Sequence, residues 1–203
     1  MLALLFEVRP FPDQVEAYLD RALQLKPELD RVGGCLFIER FQSLKRDGVL
    51  LSFQLWRDEA AMTAWRVNTA HHAVQMDGRM RIFADYRLRI AEVVEATLHG
   101  ETTWRAAHRN TYNDPAHRAP RHLHVLQSTA PIEDADSLET FRSLYREGQY
   151  MHVGDLPSAN AGAALAGKVD ATHFAHRVCE VERDYGMFER AEAPQFCPVI
   201  QRK

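Results

Sequence analysis

The sequence predicts an α+β fold: two tandem ferredoxin-like βαββαβ modules whose sheets pair into a barrel. Three observations predict it. Residues 38–48 (IERFQSLKRDG) recur one hundred residues later as 138–148 (LETFRSLYREG), with identity at six of eleven positions. The shared residues are Glu39/Glu139, Phe41/Phe141, Ser43/Ser143, Leu44/Leu144, Arg46/Arg146 and Gly48/Gly148. A shorter echo joins RIAEV at 89–93 to RVCEV at 177–181. Finally, a chain of 203 residues has room for two domains of ordinary size. A repeated small unit must stack or pair its copies to bury their apolar faces.

The first copy reads element by element. Residues 2–9 (LALLFEVR) are an apolar run ending in alternation, hence a strand, which Pro10 and Pro12 stop. Asp13 can cap a helix over 14–31 whose stripe includes Val15, Tyr18, Leu19, Leu23 and Leu29. Pro27 should kink its last turns, and Gly33-Gly34 end it. Residues 35–44 and 49–56 are strands around the turn KRDG, where Gly48 supplies positive φ. Asp58 can cap the next helix, through Ala61 and Trp65, with a break near Thr69 and a second piece over 70–77. Residues 82–94 alternate as the last strand. In this order the helices cover one face of the sheet and leave the other in need of a partner.

The second copy is abbreviated. Residues 122–130 are its first strand, and the long first helix shrinks to PIEDAD at 131–136. Residues 137–147 would pass alone as an amphipathic helix, but alignment to the first copy makes them a strand. Then come a hairpin partner at 150–156, an Ala-rich helix at 158–169 and a last strand at 173–181. The expected domains are a module at 1–96, a linker at 97–120, a degenerate module at 121–188 and a C-terminal extension at 189–203. Trp104 and Tyr112 should hold the linker against a module.

Composition excludes several function classes. The chain is 46% apolar and 26% charged, with a net charge of −3, which argues against a nucleic-acid partner. No apolar run approaches the ~20 residues of a membrane span, so a cytoplasmic protein without a membrane partner is expected. Cys35, Cys179 and Cys197 are scattered without CxxC spacing and read as reduced thiols.

The first copy resembles the antibiotic biosynthesis monooxygenase family. The residues that carry the resemblance are LLFEVRP, GGCLFIERFQSL, LLSFQLWRDEAAMTAWR, the Asn68–His72 stretch and IFADYRLRI; RDYGMFERAEAP at 183–194 is similar to a C-terminal extension of single-module members. It covers residues 1–95 well and 138–194 weakly. The resemblance implies a dimeric α+β barrel, hence a homodimer or an intrachain pseudodimer. For some members it implies oxygenation of aromatic polyketide quinols without metal or flavin. Others degrade heme, isomerise small molecules or have no assigned activity. The heme-degrading relatives use an Asn on the first strand, where this chain has Phe6 and Glu7, and they space their Trp and His differently.

Candidate site residues form two sets. If the second helix continues through Thr69, Trp65, Asn68 and His72 share one face. A cofactor-free oxygenase needs a base, an oxyanion donor and an apolar wall, roles open to His72, Asn68 and Trp65 in that order. The plainer reading makes Trp65 a core anchor, Asn68 a break or cap and His72 a surface residue. His71 points about a quarter turn away and is the weaker candidate. On the strands, Glu7 with Arg87 or Arg89 could orient a phenolate or carboxylate, or form a structural ion pair, with Tyr86 on the opposite face. The second copy carries His122, His124, His152, His173 and His176, so a three-His metal site competes with ordinary sheet histidines. No complete ligand motif appears, and no metal or cofactor is assigned.

The function expected is therefore a cofactor-independent monooxygenase taking a small aromatic or quinol substrate and O2. The competing reading is a non-catalytic small-molecule binding or accessory protein on the same barrel.

Overall fold

A computed structural model describes residues 1–107, 121–132, 136–161, 175–197 and 200. Among the described residues nine strands and four α-helices follow in chain order. They are β1 (Leu2–Pro10), α1 (Val15–Gln24), α2 (Lys26–Val32), β2 (Cys35–Ser43), β3 (Leu50–Trp56), α3 (Glu59–Arg66), α4 (Thr69–Asp77), β4 (Phe83–Leu98), β5 (Glu101–Arg105), β6 (His122–Ser128), β7 (Glu139–Ser143), β8 (Tyr150–Leu156) and β9 (Ala175–Gly186).

Eight of the nine strands form a closed antiparallel ring, β1-β3-β2-β7-β8-β6-β9-β4 and back to β1. The first four strands lie in the order β2-β3-β1-β4, and β7-β8-β6-β9 repeats that order. The barrel therefore closes within one chain, at the seams β2–β7 and β4–β9. Closure leaves no free edge in the ring. Alternation then sorts the side chains. Ala3, Leu5, Leu51, Phe53, Val93, Leu123, Val125, Phe141, Met151 and Cys179 fill the interior. Leu2, Trp56 and Ile90 face outward under α2 and α3, packed on Met62 and Trp65.

The seam explains why the sequence repeats. Gln42 sits opposite Arg142, flanked by Phe41↔Ser143 and Ser43↔Phe141. Ser43 Oγ donates to Glu139 (2.6 Å) while accepting from the backbone N–H groups of Lys45 and Arg46. Ser143 Oγ donates to Glu39 while accepting from Tyr145 and Arg146 N–H. The backbone answers in kind: Leu44 N–H donates to Thr140 O and Leu144 N–H to Arg40 O, both at 2.9 Å. Gly48 and Gly148 turn the two hairpins with φ of 68° and 69°. Each serine thus holds its own turn and the opposite strand's carboxylate.

Several elements depart from the expected ones. Asp13 caps nothing: a 3₁₀ turn over Pro12–Gln14 precedes α1, and Gln14 occupies the cap position without a side-chain bond. The single helix over 14–31 is two, parted at Leu25, with Pro27 in the first turn of α2, where its missing N–H is harmless. Leu23, counted in the apolar stripe, is exposed. The linker's first residues are strand, because β4 runs to Leu98 and turns through His99 and Gly100 into β5. Trp104 on β5 donates its indole N–H to Val93 O (3.1 Å). Residues 139–143 are a strand, as the alignment required. Of the Ala-rich helix expected at 158–169, residues 162–169 lie outside the described residues, as does His173.

Cys35, Cys179 and Cys197 are free thiols, and burial pushes Cys179 up to about 12. Among the described residues no helix is long and apolar enough to cross a membrane, and no three metal-capable side chains converge. On the outer face of the second sheet His124 Nδ1 lies 2.9 Å from His176 Nε2, and His152 sits between Ser128 and Thr140. His122 stands 4.0 Å from Glu180.

Two predictions follow from this architecture. Ser43→Ala or Ser143→Ala removes three hydrogen bonds and leaves Glu139 to Arg46 or Glu39 to Arg146 alone, so each should cost about 1–3 kcal/mol in urea unfolding. The buried imidazoles contribute to acid sensitivity. Burial lowers His152 and His176 from 6.5 to about 4, and lowers His124 as well. Between these values the unfolded chain binds more protons, so stability is full above pH 6.5 and falls as pH drops toward 4. The urea midpoint should show that fall, and His152→Gln should lessen it.

Candidate active site

A cavity of about 210 Å³ lies between the outer face of the first sheet and α1–α4. The sheet contributes Leu4, Phe6, Leu88 and Ile90, and α3 contributes Met62 and Trp65. These positions follow from strand parity: the residues opposite the barrel interior are the ones the helices cover. Phe6, Phe83 and Tyr86 pack as tilted and edge-to-face aromatics at one end, which fixes the Tyr86 ring.

The Tyr86 hydroxyl is the polar focus. It accepts from Arg79 Nη1 (2.9 Å) and from Arg190 Nη1 (3.0 Å). A hydroxyl oxygen has two lone pairs, and both are engaged. Its own proton is left as a donor, on a side chain that lines the cavity. Arg79 comes from a π turn over Gly78–Ile82 that follows α4. Arg190 comes from the C-terminal segment, which folds back after β9. Met187 N–H donates to Tyr86 O, and Arg190 also donates to the carbonyls of Gly186 and Gln195. Gln195 and Cys197 complete the wall.

Trp65 and His71 form another part of the wall. Their rings stack at 4.1 Å between centroids and 16° between planes. His71 Nδ1 lies 2.9 Å from Trp65 O. A carbonyl only accepts, so Nδ1 carries the proton and Nε2 keeps its lone pair. Burial holds His71 at about 4, against the help of that hydrogen bond, so the ring is neutral near pH 7.

The candidates read from sequence separate here. Trp65 and Tyr86 line the cavity; Asn68 and His72 do not. The shared face of Trp65, Asn68 and His72 required a continuous helix, and the chain breaks between α3 and α4. Asn68 is the N-cap of α4, accepting from His71 N–H (3.1 Å) and donating to Glu28 (2.6 Å). The break turns His72 to solvent and His71 inward. Glu7 and Arg87 belong to the other sheet face, at the barrel mouth. Glu7 pairs with Arg89 (2.6 Å) and Arg46 (2.5 Å), while Arg87 pairs with Asp184 (2.6 Å). Burial pushes the Glu7 carboxyl upward, but the charges of Arg89 and Arg46 prevail and hold it below its usual range.

Arg79 and Arg190 were absent from the sequence reading. One signal was available for Arg190, since it lies in the RDYGMFERAEAP segment. Nothing comparable marked Arg79.

The chain is similar to known proteins in its first part and over its length. The family model for antibiotic biosynthesis monooxygenase matches residues 1–76. Jasmonate monooxygenase ABM of Pyricularia oryzae is 28% identical over 218 residues, covering 98% of this chain and 99% of that protein. Among solved structures, a conserved protein from Methanosarcina mazei Go1 superposes with a TM-score of 0.41 at 15% identity, covering 44% of this chain and 88% of its own. An antibiotic biosynthesis monooxygenase gives a TM-score of 0.41 at 17% identity, covering 46% of this chain and 99% of that one.

The cap assignment is testable by thermal melting. Asn68→Ala should cost about 0.5–2 kcal/mol, whereas His72→Ala should stay within about 0.5 kcal/mol of wild type.

Proposed function

We propose, from the antibiotic biosynthesis monooxygenase domain that this chain carries, that the cavity under Tyr86 is the site of a monooxygenase reaction. The substrate is a small aromatic or quinol-type molecule with an acidic C–H or O–H, and O2 is the oxidant. The observation that carries this reading is the Tyr86 hydroxyl, both lone pairs held by guanidinium groups and its proton left to donate. The full-length likeness to a jasmonate monooxygenase supports small-molecule oxygenation, while the particular substrate is our own assignment.

The reaction balances without an added reductant for an activated methylene. His71 Nε2 accepts one proton, and Tyr86 donates to the oxygen that becomes an enolate. The carbanion gives its electrons to O2, and a carbon–oxygen bond forms. Loss of the second C–H proton breaks the O–O bond. The carbon becomes a carbonyl and the other oxygen leaves as water. Burial lowers His71 to about 4 and makes it a weak base, so proton transfer to it depends on Tyr86 and its two arginines stabilising the anion that forms. The apolar wall keeps water from the anion. In this reading no metal or organic cofactor takes part.

We read the architecture as a fused pair of modules, 1–96 and 121–188, that makes a monomeric pseudodimer. The repeated strand order and the reciprocal seam support it. The two halves are unequal, and the chemistry sits in the first.

Oxygen uptake with anthrone tests the site. Tyr86→Phe should lower kcat/KM by about 10²–10³-fold, as loss of an oxyanion donor does. His71→Ala should lose a comparable factor, and His72→Ala should match wild type. Uptake that depends on His72 and not on His71 or Tyr86 would sink this assignment, as would the absence of uptake across an anthrone and hydroquinone panel.

A further inference from the structure

The charge around the cavity has one sign. Arg21, Lys26, Arg40, Arg66, Arg79 and Arg190 reach its wall, and no aspartate or glutamate does among the described residues. Two of these cations are neutralised from outside, Arg21 by Asp77 (2.6 Å) and Lys26 by Asp30 (2.5 Å). Arg190 gives its donors to the Tyr86 oxygen, to carbonyls and to Cys197 Sγ and lies 5.4 Å from the centre of the Tyr185 ring, with no carboxylate partner among the described residues. Arg40 lies 5.9 Å from the centre of the Tyr18 ring, with its Nε buried and lacking an acceptor among the described residues.

Arg66 stands out. It ends α3 and lines the cavity, and both its Nε and its Nη1 are buried without an acceptor among the described residues. Buried donors without partners are costly, and on a cation the cost is larger. A carboxylate is the natural complement, because guanidinium–carboxylate bonds are charge-assisted and roughly twice as strong as neutral ones. Gln75 Oε1, on the same wall, is a buried acceptor without a donor among the described residues. Water joining it to Arg66 would be the rival way to satisfy both.

We propose that the ligand of this cavity is an amphipathic organic acid whose carboxylate is received by Arg66. Its apolar body lies along Leu4, Met62, Leu88 and Ile90. Arg66 is thus a specificity-determining residue, remote in role from the donor Tyr86. The proposal rests on the cavity being the substrate site, and among aromatic or quinol-type substrates it favours those that also carry a carboxylate.

Calorimetric titration of the full chain tests it without turnover. The probes are octanoate against methyl octanoate, and 1-naphthoate against methyl 1-naphthoate, under nitrogen. Wild type should bind each acid at least tenfold more tightly than its ester. Arg66→Gln should bring the acids to the level of the esters and leave ester affinity unchanged, which also reports an intact cavity. Arg66→Lys should restore part of the preference. Equal binding of acid and ester by wild type, no saturable binding of either acid, or a preference that survives Arg66→Gln would overturn it. A protein that prefers acids yet takes up no oxygen retains the Arg66 assignment and loses the oxygenase reading instead.

Discussion

The reciprocal exchange of serine and glutamate across β2 and β7 is the constraint on which the molecule depends. Each serine satisfies two backbone donors of its own turn and one carboxylate of the other strand. A carboxylate as buried as Glu39, at 5% exposure, needs such a partner. The seam also fixes register. A slip by one residue would turn Phe41 and Phe141 out of the barrel and the hydroxyls away from the carboxylates. The exchange is not fully even. Arg46 reinforces its side by bridging Glu139 and Glu7, whereas Arg146 lies 3.4 Å from Glu39 and is largely exposed.

Closure at that seam decides where a ligand can enter. The interior is filled by side chains from all eight strands, with Phe37 among those packed against them. The mouth is occupied by the Glu7–Arg46–Arg89 network. A polar cavity of about 340 Å³ opens beside that network, whereas the apolar cavity lies on the outer face of the first sheet, beneath the helices. The break at Asn68 matters here, because it turns His71 under Trp65. The C-terminal segment then covers the end at Tyr86 and brings Arg190 from 104 residues away. The second sheet's outer face is different in kind. His124, His152 and His176 are committed there to one another, to hydroxyls and to a backbone carbonyl.

Much of this was legible in the sequence because the seam demands the same residues twice. Glu39, Ser43 and Arg46 recur as Glu139, Ser143 and Arg146, and strand parity put Tyr86 opposite Arg87 correctly. The order βαββαβ followed from turn residues and apolar spacing. The site was less legible. Asn68 and Thr69 marked the break, but the face that grouped His72 with Trp65 assumed the helix ran through it. One residue of cap geometry is enough to exchange His71 for His72. Arg79 and Arg190 could not be paired with Tyr86 from spacing, because an arginine in a turn or tail reads as solvated until the fold returns it to the sheet. β5 escaped notice because a short, wholly exposed polar strand has no apolar period.

The location of a bound ligand tests the central claim most directly: that one site per chain lies between the first sheet and its helices. A crystal structure with a dihydroxyanthraquinone, a product-like molecule, would show it. The expected result is one molecule per chain between Trp65 and Tyr86, with an oxygen within hydrogen-bonding distance of the Tyr86 hydroxyl. A molecule seated instead at the barrel mouth among Glu7, Arg46 and Arg89, or on the outer face of the second sheet, would contradict it.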